Sequence, residues 1–113
     1  MTTATSHRRN RQLKDLASNL PGAELVEAGI AALAREEQTT EALLVALAAA
    51  RLRALGLNVP QAADDVRAPN LALYAAVRDG GGDHFDYNAL LRRLSSFADA
   101  AEWLLRESTP ENA

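Results

Sequence analysis

The chain has 113 residues, carries a net charge of −3 and contains no cysteine, which excludes disulfide scaffolds, cysteine-ligated zinc, iron–sulfur clusters and cysteine nucleophiles. Alanine and leucine together supply 42 residues, whereas aromatic residues make up only 4%. This composition favours one small all-α domain over a β-sandwich or barrel.

The N-terminal segment differs from the rest in charge. Residues 1–14 hold four basic and no acidic residues, whereas residues 15–113 hold 8 basic and 15 acidic residues. Residues 1–9 lack apolar periodicity and are predicted to be a flexible basic arm. A short helix is predicted from residue 10 to residue 20, because one helical face collects Leu13, Leu16, Ala17 and Leu20.

Two further helices are predicted over residues 23–36 and 41–55. The first has Val26, Ile30 and Leu33 on its apolar face, and Gly29 in its middle suggests a close helix crossing. The second is apolar on all sides over residues 42–50, which predicts a buried central helix. Thr39 or Thr40 is expected to be its N-cap, and Gly56 is expected to end it in a Schellman motif.

The C-terminal half is predicted to contain two more helices. Residues 61–67 are compatible with a single helical turn, and a helix follows over residues 70–79 until three glycines stop it. A long helix is predicted over residues 83–107, with Asp83 as N-cap and Asp86 three residues later. The prediction is therefore a bundle of about five helices over residues 10–107, followed by a flexible tail at 108–113.

The sequence fits none of the common patterns of catalysis or cofactor binding. The glycines at 80–82 lack the lysine of a phosphate-binding loop, since the only lysine is Lys14. The acidic residues near His84 lack EF-hand spacing, and helix capping accounts for Asp83 and Asp86. His7 and His84 belong to no metal or nucleophile motif, and Ser95 and Ser96 are expected to be solvated. No catalytic residue, cofactor or metal is predicted, which favours a protein that is not an enzyme.

Trp103 is the residue whose position is least explained by a helical core. It lies about 180° around the last predicted helix from Leu94, the centre of the apolar stripe. Phe85 lies on the same side, and four polar residues surround Trp103 there: Arg92, Ser96, Asp99 and Arg106. Either another part of the chain, such as the helix at 10–20, covers this side, or Trp103 contacts a partner or a second copy. Trp and Arg are enriched in binding hot spots.

The leading functional prediction is a small cytoplasmic protein–protein interaction module that binds a partner or itself through Trp103, Arg92, Arg106 and Ser96. Membrane insertion is not expected, because no apolar run approaches the roughly 20 residues of a membrane span. Cytoplasmic location follows from the lack of a secretory signal pattern. Arginine supplies 11 of the 12 basic residues, as in GC-rich genomes, so we expect a bacterial source.

The alternative prediction is a nucleic-acid-binding accessory protein that acts through its basic arm. Arg8, Arg9, Arg11 and Lys14 could contact phosphates, as such arms do in other proteins. A helix-turn-helix over residues 23–55 does not fit, because its second helix is almost wholly apolar.

Overall fold

The computed structural model describes residues 19–108, and the all-α fold is confirmed. This part of the chain contains no strand. Its five α-helices and one 3-10 helix are, in chain order, α1 (Ala23–Ala34), α2 (Thr40–Leu47), α3 (Ala49–Ala54), the 3-10 helix (Gln61–Asp65), α4 (Pro69–Asp79) and α5 (His84–Ser108).

Three predicted segments lie wholly or mostly outside the described residues: the arm at 1–9, the helix at 10–20 and the tail at 108–113. Leu20 belongs to the described part, where it is half-buried and packs against the core. Gly22 follows with a φ of 84° and lies against α5, since a Cβ there would be 2.7 Å from the carbonyl oxygen of Arg93.

The predicted close crossing at Gly29 is confirmed. A Cβ at this position would collide with the carbonyl oxygen of Glu41 and with Cγ2 of Val45. Glycine therefore lets the backbones of α1 and α2 approach each other more closely than any side chain would allow. Val45 is fully buried at this crossing, and Val26 and Leu33 on α1 are almost fully buried.

The central helix differs from the prediction in one respect, because it is interrupted at Ala48. Ala48 has φ −106° and ψ 16°, and its N–H donates to the carbonyl of Val45 rather than to that of Leu44. Alanine has the highest helix propensity, so the local preference of Ala48 does not explain the break. Leu44 and Leu52, on either side of it, are both completely buried.

Hydrogen bonds at the helix ends match the predicted caps. The side chain of Thr39 accepts a hydrogen bond from the N–H of Ala42 at 3.0 Å. At the end of α3, the N–H of Leu57 donates to the carbonyl of Leu52 and that of Gly56 to the carbonyl of Arg53, which is the expected Schellman motif. Gly56 has the required positive φ of 92°.

The last two helices close one side of the core. Residues 61–65 form the 3-10 helix, in the stretch where the sequence is compatible with a single helical turn. Leu73 and Val77 of α4 are buried, and the ring of Tyr74 contacts that of Tyr87 of α5 edge to face, with centroids 5.2 Å apart. None of the helices between residues 19 and 108 combines the length and apolar character needed to cross a membrane.

Candidate functional site

The start of α5 is fixed by a capping box. Oδ1 of Asp83 accepts hydrogen bonds from the N–H groups of Phe85 at 3.0 Å and Asp86 at 3.2 Å, and Oδ2 of Asp86 accepts one from the N–H of Asp83 at 2.9 Å. These bonds satisfy donors that a helix N-terminus would otherwise leave unpaired. The capping box therefore defines where α5 begins.

The inner face of α5 packs against α1, α2 and α4. Its buried residues lie only in the middle of the helix and comprise Leu94, Phe97, Ala98 and Ala101. Phe97 is among the largest fully buried side chains. On either side of this segment, the inward-facing residues Tyr87, Leu90, Leu91 and Leu105 are half-buried.

The opposite side of α5, which we call the outer face, consists of Phe85, Ala89, Arg92, Ser96, Asp99, Trp103 and Arg106. Phe85 exposes 76% of its surface and Trp103 exposes 58%. Phe85 and Trp103 are 18 positions apart, which corresponds to five turns, so both lie on the same face, about 27 Å apart along the helix. The outer face therefore presents an aromatic side chain near each of its ends.

Ion pairs border the outer face on both sides. On one side, Arg93 pairs with Glu24 of α1. On the other side, Arg51 of α3 donates to Asp99 at 2.7 Å and to Glu102 at 3.0 Å. The hydrogen bonds to Asp99 and then to Glu102 raise the pKa of Arg51. These pairs attach α5 to the rest of the bundle and leave the strip between them uncovered by the described residues.

All four residues predicted to bind a partner lie together on this strip. Arg92, Ser96, Trp103 and Arg106 are each exposed. Glu102, one turn before Arg106, pairs with Arg51, which α3 brings beside that carboxylate. The alternative predicted site, at Arg8, Arg9, Arg11 and Lys14, lies outside the described residues.

The sequence analysis did not predict two features of the protein surface. The first is the contact of Arg51 with two carboxylates of α5, which no local pattern encodes because 48 residues separate Arg51 from Asp99. The second is Leu71 of α4, which exposes 67% of its surface. A helical wheel of α4 could have found Leu71, since it lies off the stripe formed by Leu73 and Val77.

The polar side chains around residues 83–88 form hydrogen bonds at the start of α5. Asp83 and Asp86 cap α5, and Nε2 of His84 lies 3.1 Å from the side-chain nitrogen of Asn88. Between residues 19 and 108, the structure brings no three His, Asp or Glu side chains together in a way that could hold a metal ion.

Comparison with known proteins adds no further assignment. The chain matches no known family model, and no curated protein or solved structure is significantly similar to it.

Proposed function

We propose that this protein is a non-catalytic interaction module that binds another protein surface through the outer face of α5. The observation that carries the proposal is the exposure of Trp103, the only tryptophan of the chain, opposite the buried face of its helix. Trp and Arg dominate binding hot spots because they bury a large area and carry a polar group that can be satisfied. Arg92 and Arg106 lie beside Trp103 on the same face.

Phe85 extends the surface along the helix. An isolated exposed apolar residue is common on protein surfaces and carries little meaning. Two aromatic residues on one face of one helix, in a chain with only five aromatic residues, are a much stronger indication of a binding surface. Arg51 and Arg93 form exposed ion pairs that link this helix to α3 and α1.

The proposal is tested by capture from a lysate of the organism that produces the chain. Tagged wild-type protein is compared with Trp103→Ala, and bound proteins are quantified by mass spectrometry. We expect the proteins enriched by the wild type to be at least about tenfold less abundant with Trp103→Ala, as befits loss of a hot-spot residue. Untagged copies of the chain itself count among these proteins.

Leu71→Ala is the matched control, because it removes an apolar side chain of similar exposure from a different helix. Circular dichroism of both variants must show unchanged helicity. Equal capture by the wild type and Trp103→Ala would contradict the proposal, as would an equal loss of capture with Leu71→Ala.

The second candidate is nucleic-acid binding by the N-terminal segment. It is supported by the contrast between four basic residues without an acid in residues 1–14 and the acidic excess of the rest. Phosphate binding by these cations would weaken steeply as salt is raised from about 50 to 200 mM. Fluorescence anisotropy with labelled duplex DNA and single-stranded RNA, repeated after deletion of residues 1–11, tests it. Binding that ignores salt or survives the deletion would contradict it.

A further inference from the structure

We draw no further inference here: the strongest candidate, the outer face of α5 with its exposed Phe85 and Trp103, carries nothing beyond the proposed function, because nothing in the part of the chain that the structure describes shows what covers it.

Discussion

The two faces of α5 differ sharply although they share one helix. Phe97 exposes 2% of its surface, whereas Trp103, six residues later, exposes 58%. Among residues 19–108, the inner face contacts three helices, whereas the outer face is bordered by exposed ion pairs and is not covered by another helix. Large aromatic residues therefore have two different uses here, because one stabilises the core and the other remains available to a partner.

The comparison is most strongly tested by removing one ring from each face. Phe97→Ala should lower the free energy of unfolding by about 3–5 kcal/mol, since it leaves a cavity in the core. Trp103→Ala should lower it by less than about 1 kcal/mol, as for most exposed positions. Urea denaturation followed by circular dichroism, at a concentration where the chain is monomeric, measures both. Similar losses for the two variants would mean that Trp103 also belongs to the core.

A smaller effect is expected where the chain crosses the inner face at Gly22. Gly22→Ala should cost roughly 2–3 kcal/mol, because the new methyl group meets Arg93 and Phe97 and the residue keeps its positive φ. Gly56→Ala is the matched control, since Gly56 also has a positive φ but no atom lies within 4 Å of its Cβ position. It should cost only about 1 kcal/mol. Equal costs would show that Gly22 does not pack tightly against α5.

Loss of the N-terminal cap should destabilise the first turn of α5. Asp83→Ala removes the acceptor for two backbone N–H groups and should cost about 1 kcal/mol of unfolding free energy. Amide hydrogen exchange should be faster in the first turn of α5 and unchanged around Phe97. Asp83→Asn, which can still cap, should restore most of the protection. Faster exchange along the whole helix would contradict a local role for this cap.

The smallest effect is expected from the ion pairs that border the outer face. Arg51→Gln should lower the unfolding free energy by less than about 1 kcal/mol, because the pairs with Asp99 and Glu102 are solvent-exposed. The loss should shrink further in 1 M salt, where charges are screened over about 3 Å. Arg78→Gln on α4, where the structure records no ion pair, serves as the control. A loss of unfolding free energy well above about 1 kcal/mol that 1 M salt does not reduce would contradict the weak contribution expected of these exposed ion pairs.

Much of this fold could be predicted from local sequence signals. The capping box at Asp83, the Schellman motif at Gly56 and the close crossing at Gly29 each depend on a few neighbouring residues, and all three are confirmed. The interruption at Ala48 could not be predicted, because alanine favours helix and no residue near it in the sequence signals a break.

The candidate site was predictable only in part. Helical periodicity places Trp103, Arg92, Ser96 and Arg106 on one face, and the structure leaves each of them exposed. Periodicity alone could not decide whether another element covers that face, since coverage depends on how helices pack in three dimensions. It also could not reveal that Arg51 reaches Asp99 and Glu102 from a separate helix.

Trp103 offers the most direct measurement, because it is the only tryptophan and its fluorescence reports on this site alone. Acrylamide quenching of the folded wild type is compared with quenching of the same chain unfolded in urea. If the outer face is exposed, quenching of the folded chain is efficient and close to that of the unfolded chain. Strong protection of Trp103 in the folded chain, as for a buried indole, would contradict an exposed outer face.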